Sequence, residues 1–285
     1  MNEKQVKQKL RLRSHFGFSK VPFSKYMWAT HMFDSVSQRE LLHGLRMWTE
    51  IKGLALVTGP PGVGKSITLR RFVEILDHAR WHVIDFSYLP TTKTGFLRSL
   101  CRKLALPMRL HTADLFDQVQ SYLVAYQNEH GAHPVILVDD AEGLPVTVID
   151  LLRRLTCYDL DSEDLFSIVL SGTDDLLSTL GHVELEPLRN RLSYVQCLRP
   201  FGVEDTRNYI RFHLERADMD QKLFSDKAST RLFQASQGRP RSINQLAMQA
   251  LISAAVQGRD QVDGDFMDAT VAAHPLYQTT TRGAR

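Results

Sequence analysis

Eight consecutive residues carry the clearest chemical pattern in this sequence: Gly59, Pro60, Pro61, Gly62, Val63, Gly64, Lys65 and Ser66. They satisfy the spacing G-x-x-x-x-G-K-[S/T]. Glycines at these places leave backbone N–H groups open to wrap a triphosphate, and a helix that starts there adds partial positive charge. Lys65 can then reach the β- and γ-phosphates, while the Ser66 hydroxyl can ligate Mg²⁺. The stretch is therefore interpreted as a P-loop that binds ATP and Mg²⁺, with contacts extending to Ile67.

The flanking residues place this stretch between a strand and a helix. The preceding run Leu54–Thr58 is short, apolar and partly β-branched, as in a buried parallel strand. Apolar residues then recur at helical spacing, at positions 69, 72, 73 and 76. A glycine- and proline-rich turn that matches the pattern by chance would not need this context, so the flanks favour a P-loop.

A second acidic pattern follows the apolar run 135–138, where the chain reads Asp139-Asp140-Ala141-Glu142. An acid delivered to the carboxyl end of a buried strand is the Walker B arrangement, with Asp139 placed to hold Mg²⁺ through water. A chance acidic turn is the alternative. The order of strand, P-loop, helix, strand and acid favours the functional interpretation.

Asp140 occupies the position that decides the rate of hydrolysis, because a carboxylate there orients and deprotonates the attacking water. Aspartate is one methylene shorter than glutamate, and a shift of about 1 Å can cost roughly a hundredfold in rate. Glu142 could substitute if the turn aims it inward. We therefore expect an ATPase with slow hydrolysis, which suits a switch better than a motor.

Other candidate catalytic residues follow the next apolar run. It ends at Ser171-Gly172-Thr173, where we choose Thr173 to touch the γ-phosphate or the water, with a plain turn as the alternative. Arg189 or Arg191 could act in trans as a finger across a subunit boundary. Pairing of either arginine with Glu184 or Glu186 is the structural alternative.

Composition sets the general class of the protein. The chain has 285 residues and 43% hydrophobic content, enough for an α/β domain with a smaller one. Its three cysteines form no C-x-x-C pair, which argues against zinc and disulfides and fits a reducing cytosol. No apolar run approaches the roughly 18 residues of a membrane helix, and no signal peptide is apparent. We expect a soluble, cytoplasmic protein.

Four parts are predicted along the chain: a basic N-terminal arm and packing segment 1–25, a nucleotide-binding α/β domain 26–200, a helical lid 201–272 and a mobile tail 273–285. The apolar stretches 16–18 and 21–23 are expected to pack on the main domain near the nucleotide base. From residue 201 onward the pattern is helical. Arg241 stands at a helix start after a glycine turn, from which it could fold over the phosphates.

The net charge of +3 says little about binding partners, but basic residues cluster locally. Two groups could contact DNA phosphates: Lys4, Lys7 and Arg11 in the arm, and Lys93, Arg98, Arg102 and Lys103 around one predicted helix. A solvated terminus and an ordinary charged helix face are the alternatives.

The order of these motifs resembles AAA+ ATPases, specifically the group that joins the ExeA-type secretion ATPase with the ATP-dependent target-selection proteins of bacterial transposons. The resemblance covers roughly residues 14 to 268. Its marks are Phe16-Gly17 with Pro22-Phe23, the P-loop, residues 139–144, Ser171-Gly172-Thr173, residues 188–192, Tyr209-Ile210 and residues 238–244. The P-loop and Walker B marks are shared by many ATPases. The closing Gly-Arg-Pro-Arg-Ser-Ile-Asn is more specific to this group.

The resemblance implies an α/β fold: a P-loop AAA+ parallel sheet with an inserted P-loop strand, flanked by helices and followed by a small all-α lid. It also implies Thr173 as sensor 1, Arg189 or Arg191 as the finger, Arg241 as sensor 2, and a homo-oligomer with sites between subunits. Asp140 departs from the family, which usually has glutamate there. Glu142 stands where a glutamine is common.

Two functions compete within this resemblance, and a third possibility belongs to a different class of protein. Transposition members are short, soluble proteins that form rings or filaments on double-stranded DNA and recruit a transposase. Secretion members are membrane-anchored and carry a cell-wall-binding region. A nucleotide-switched scaffold that binds only proteins is the third. Length, the lack of a membrane span and the basic patches favour the DNA-binding regulator of transposition.

Overall fold

A computed structural model describes residues 12–24, 32–86, 89–157 and 164–277. The chain divides into two compact units. An α/β unit contains residues 36–60 and the described residues of 65–198. A helical unit contains the described residues up to 35, residues 61–64 and those from 199 onward.

The elements in chain order are α1 Leu12–Phe16, α2 Val36–Ile51, β1 Leu54–Thr58, α3 Lys65–Ile75, β2 Trp81–Phe86, α4 Lys93–Lys103, α5 Thr112–His130, β3 His133–Val138, α6 Val146–Thr156, β4 Ser167–Ser171, α7 Asp174–Leu180, α8 Glu186–Arg189, β5 Leu192–Cys197, α9 Val203–Glu215, α10 Asp226–Ser236, α11 Pro240–Val256 and α12 Gly264–Ala273. Short 3₁₀ turns cover Ala141–Gly143, Val183–Leu185 and Gln221–Leu223.

The sheet of the α/β unit is parallel, with strand order β2-β3-β4-β1-β5. The P-loop strand β1 is therefore inserted between β4 and β5, which confirms the predicted P-loop AAA+ fold. All five residues of β1 are buried, as its continuous apolar run predicted. The register aligns Val57 of β1 with Ser171 at the end of β4.

Apolar side chains of the flanking helices cover the sheet. Phe96, Leu97 and Leu100 of α4 are fully buried, as the helical spacing predicted, and Phe86 of β2 stacks on Phe96 with ring centroids 4.6 Å apart. The P-loop helix α3 is anchored by Phe72, which is 0% exposed. The position of α3 against the sheet therefore depends on buried apolar area rather than on surface charge.

The helical unit has its own core, built mainly by α9, α10, α11 and α12. Phe16, Phe18 and Phe23 lie in that core. The prediction that these aromatic residues pack on the α/β domain is therefore wrong. The physical reason is an available aromatic surface on α9: the Phe23 ring lies 4.7 Å from His213, whose Nδ1 accepts a hydrogen bond of 3.1 Å from Phe23 N.

Helix α12 was not predicted from the sequence. Its buried face has only two large apolar side chains, those of Phe266 and Met267, which is a weak signal in the sequence. The helix instead begins at a cap, because the Asp263 carboxylate accepts a 2.8 Å hydrogen bond from Phe266 N. In the described part of the chain, no helix combines the length and apolarity that crossing a bilayer requires.

We expect Phe72→Ala to lower the free energy of unfolding by about 3–5 kcal/mol, because it leaves a cavity under the P-loop helix. Urea denaturation followed by circular dichroism measures the change. Ile75→Ala is the matched control, since Ile75 is on the same helix but 44% exposed. Equal losses for the two variants would contradict the assignment of Phe72 as the anchor of α3.

Candidate functional site

The P-loop begins directly after β1, where the backbone requires glycine. Gly59 has φ 146°, and a Cβ built on it would lie 2.4 Å from the Leu198 carbonyl oxygen. Leu198 N in turn donates a 2.8 Å hydrogen bond to Thr58 O, which keeps the end of β5 against this turn. A side chain at residue 59 therefore has neither the conformation nor the space it needs.

Lys65 opens helix α3 and is only 6% exposed. Its ammonium donates to the carbonyl oxygens of Gly59 at 2.8 Å and Pro60 at 3.3 Å. The charge is thus held at the mouth of the loop and beside the amino end of a helix, both of which favour anions. Ser66 is exposed, so its hydroxyl is accessible to a metal ion.

The residues at the tip of the loop belong to the helical unit. Arg241 N donates a 3.2 Å hydrogen bond to Gly62 O, and a Cβ on Gly62 would lie 2.9 Å from the Arg241 Cβ. Gly62 has φ 82°, which favours glycine independently. The predicted sensor 2 arginine is therefore attached through its backbone at the start of α11, and its side chain is exposed.

Asp139 follows β3, and its carboxylate is oriented by the neighbouring strand. Ser171 Oγ, at the end of β4, donates a 2.8 Å hydrogen bond to Asp139 Oδ1. Asp140 N donates to the same oxygen at 3.1 Å. Sequence reasoning considered Ser171 only as a rival to Thr173 and missed this role. The signal was available, because a hydroxyl at the end of an adjacent parallel strand faces the same edge of the sheet.

Asp140 and Glu142 differ in how they are held. Asp140 is exposed and has φ 53°, a left-handed conformation that turns the chain sharply after Asp139. Glu142 lies in the following 3₁₀ turn, and its Oε2 is buried without a hydrogen-bond partner. That oxygen approaches Gly172, where a Cβ would lie 2.7 Å away. The turn thus aims Glu142, rather than Asp140, at the segment that ends β4.

Thr173 provides a second buried polar atom at this place. Its Oγ1 is buried and has no hydrogen-bond partner, although Thr173 N-caps the short helix α7. Buried polar atoms without partners are uncommon in folded proteins and are expected where a ligand or water completes the bonding. Ser171 therefore orients Asp139. Glu142 follows Asp139 after β3, Thr173 follows Ser171 after β4, and each has a buried side-chain oxygen without a hydrogen-bond partner.

The two candidate finger arginines both contact their own chain. Arg189 Nη1 donates to the carbonyl oxygens of Leu180 and His182, the latter at 2.9 Å. Arg191 Nη1 donates to Thr156 Oγ1 at 2.9 Å. No ion pair joins either arginine to Glu184 or Glu186, which both lie in the described part of the chain, so the structural alternative considered for them is not what holds them.

The basic residues of α4 do not form one continuous surface. Arg98 and Arg102 are exposed and four residues apart, which places them on one face. Lys103 instead lies 3.9 Å from Asp85 Oδ1 and 5.5 Å above the ring of Phe86. Lys93 is half-buried at the amino end of the helix. The predicted arm residues Lys4, Lys7 and Arg11 lie outside the described residues.

This arrangement fits a nucleotide phosphate group and its metal ion. The glycine turn leaves no Cβ at Gly59, Lys65 holds its charge there, and Asp139 is oriented at the adjacent strand ends. Oxygen ligands from a serine and an aspartate are those that Mg²⁺ prefers. The unpartnered atoms of Glu142 and Thr173 fit a bound water or phosphate oxygen.

Part of the chain matches a family model, and most of it aligns with a curated relative. Residues 49–180 match the family model described as AAA domain. A curated relative, General secretion pathway protein A of Aeromonas hydrophila, is 30% identical over 253 residues. That alignment covers 87% of this chain and 45% of the relative, so the chain spans less than half of the relative's length.

Two solved structures share the fold. Cdc6p from Pyrobaculum aerophilum has a TM-score of 0.64 at 20% identity, covering 84% of this chain and 67% of that one. The ORC2 protein of Aeropyrum pernix, solved as ADPNP-ADP complexes, has a TM-score of 0.61 at 12% identity, covering 88% and 71%. At these identities the likeness establishes the P-loop AAA+ fold and no more.

We expect Lys65→Ala to weaken ATP binding by roughly 10- to 100-fold, because it removes a charge-assisted hydrogen bond worth about 1.5–3 kcal/mol. Isothermal titration with ATP and Mg²⁺ measures the affinity. Arg70→Ala, at an exposed position on the same helix, controls for the lost charge. Unchanged affinity in the Lys65 variant would refute the P-loop assignment.

We expect Glu142→Gln to lower kcat for ATP hydrolysis by about 100-fold or more, since a positioned general base contributes roughly 10²–10⁴. Asp140→Asn should lower it less, because the exposed Asp140 is not aimed at the end of β4. Steady-state phosphate release gives kcat, and nucleotide titration should show that both variants still bind ATP. The reverse ranking of the two variants would assign the base to Asp140.

Proposed function

We propose that this AAA domain binds ATP with Mg²⁺ and hydrolyses it slowly, as a nucleotide-controlled switch. The single observation that carries the proposal is the alignment of the P-loop after β1 with the Ser171-oriented Asp139 after β3. Mg²⁺ held by Ser66 and, through water, by Asp139 would neutralise charge on the phosphates. Lys65 binds the phosphates, and Thr173 supplies a hydroxyl to the γ-phosphate or the water.

The rate of hydrolysis depends on which carboxylate faces the water. Glu142 carries the buried, unpartnered oxygen, and Asp140 is turned outward by its left-handed backbone. A base that reaches from two residues beyond the usual position orients the water less well, and small misplacements cost large factors in rate. This supports slow hydrolysis, which gives the ATP-bound state a long lifetime.

The switch is proposed to control binding to double-stranded DNA, in an oligomer that regulates transposition by recruiting a transposase. The exposed pair Arg98 and Arg102 on α4 supports a contact with DNA phosphates, which requires cations on one face and gives little sequence readout. Arg189 or Arg191 would serve a neighbouring subunit's nucleotide, after leaving its present carbonyl or hydroxyl partner. Arg241 would respond to the nucleotide in its own chain.

A role in a secretion pathway is the second candidate, and one specific observation favours it. The relative that matches 87% of this chain is named for general secretion. Because the alignment covers less than half of that relative, its whole activity does not transfer by similarity alone. On this alternative the same ATP switch would act on protein partners, and Arg98 and Arg102 would be an ordinary solvated face.

Binding to random duplex DNA with no nucleotide, with ADP and with ATP separates these functions. We expect binding only with ATP, and a loss of affinity as salt rises, because each phosphate contact releases counterions. Arg98→Ala with Arg102→Ala should make the slope of log affinity against log salt concentration less steep, by the amount expected for about two phosphate contacts. Fluorescence anisotropy across a salt series measures both effects.

A matched control removes two exposed cations elsewhere, Arg211→Ala with Lys222→Ala. Equal losses in the control and the α4 variant would show a general charge effect and reject α4 as the contact. If no nucleotide state binds DNA while ATP still binds, the transposition proposal fails and the secretion or scaffold role is favoured. If ATP itself does not bind, the switch proposal fails as a whole.

A further inference from the structure

A polar pocket opens at the opposite end of the strands from the P-loop. Its volume is about 370 Å³, and its lining residues are Thr49, Glu50, Lys52, Arg80, Trp81, Gln127, Gly131 and His133. Trp81 and His133 are the first residues of β2 and β3, and Lys52 precedes β1. The pocket therefore lies at the amino ends of the strands, about 17 Å along β1 from the P-loop.

The floor of the pocket is a fixed network around His133, which is 4% exposed. Its Nδ1 lies 2.9 Å from Gln127 Oε1, and its Nε2 lies 2.9 Å from Ser167 Oγ. Burial, together with the nearby Lys52, lowers the pKa of His133 to about 3, so the ring is neutral. An amide oxygen can only accept, hence Nδ1 donates to Gln127 and Nε2 accepts from Ser167.

This network leaves the amide NH₂ of Gln127 as a donor group of the lining. The pocket also has a flat aromatic wall, because the half-buried Trp81 indole stands edge-to-face against His133 with centroids 5.0 Å apart. The Gln127 amide and the Trp81 ring are thus both held in place by the buried His133. Such convergence of a few polar groups on an aromatic wall is typical of small-molecule sites.

Two cations lie at the same pocket, and their backbones are fixed. Lys52 has φ 66°, a position after a helix that glycine usually occupies, and its carbonyl accepts a 2.7 Å hydrogen bond from Ser193 Oγ. Arg80 O accepts from His133 N at 2.8 Å. Among the residues that the structure describes, no ion pair links Lys52 or Arg80 to a carboxylate.

We propose that this pocket binds a small organic anion that carries a single ring. Lys52 and Arg80 bind the carboxylate or phosphate group, Trp81 packs against the ring, and the Gln127 amide donates a hydrogen bond. A volume of about 370 Å³ is at the lower end for ligand sites, which fits one ring. Glu50 in the lining disfavours a polyphosphate, so the site differs in chemistry as well as in place from the P-loop.

The test uses the full chain and three probes: benzoate, phenyl phosphate and inorganic phosphate. Isothermal titration should give saturable binding of a ring-bearing probe with a Kd of about 1 mM or lower. A preference for benzoate would identify a carboxylate ligand, and a preference for phenyl phosphate would identify a phosphate ester. Inorganic phosphate should bind more weakly than phenyl phosphate, because it cannot pack on Trp81.

Three variants locate the binding. Lys52→Ala with Arg80→Ala should weaken it by about tenfold or more, the effect of removing charge-assisted hydrogen bonds. Trp81→Leu should weaken the ring-bearing probes but not inorganic phosphate. The control Arg211→Ala with Lys222→Ala should leave the affinity unchanged. Thermal melting of each variant shows that the chain remains folded.

Lys65→Ala distinguishes this inference from the proposed function. Binding of the ring-bearing probes should survive this substitution, while ATP binding is weakened. Binding that disappears with Lys65→Ala would place the anion in the P-loop and overturn the pocket, while leaving the ATP switch intact. Absence of saturable binding up to about 10 mM of every probe would also overturn it, since such a Kd corresponds to less than about 3 kcal/mol.

Discussion

The absence of a side chain at Gly59 is the constraint on which the nucleotide site depends. The Leu198 carbonyl oxygen would lie only 2.4 Å from a Cβ on Gly59, so the residue that follows the edge strand β5 packs closely against the start of the P-loop. Only a residue that tolerates this conformation and this contact lets β1 end here and α3 begin a few residues later. The position of Lys65, at the first turn of α3, follows from that turn.

Strand order explains how the other groups reach this site. β3, β4 and β1 are neighbours in the parallel sheet, so Asp139, Ser171 and the start of the P-loop follow the same edge. Parallel strands need crossovers, and the crossing helices bury both faces of the sheet. The polar groups are therefore confined to the strand ends, where the hydrogen bond from Ser171 to Asp139 is formed between residues 32 positions apart.

Patterns local in sequence were predictable, and contacts between distant residues were not. The run Leu54–Thr58, the P-loop and the acid after β3 could be identified because each has a fixed spacing and a strong apolar neighbour. Ser171 could be expected near Asp139 once β3 and β4 are placed side by side, but the burial of Glu142 depends on one left-handed residue, Asp140, which no spacing encodes. The aromatic residue Phe23 was recognised as buried but assigned to the wrong unit, since hydrophobicity does not identify the partner.

Among the described residues, one buried histidine in each unit makes acid a common weakness of both units. His133 in the α/β unit and His213 in the helical unit have pKa values lowered to about 3 by burial. In the unfolded chain each histidine has a pKa of about 6.5, so below that pH the unfolded chain binds protons that the folded chain does not bind. The stability that these neutral rings contribute is complete above pH of about 6.5 and is lost as the pH falls toward about 3. A fall in pH below about 6.5 therefore lowers the stability of the α/β unit and of the helical unit through the same physical cause.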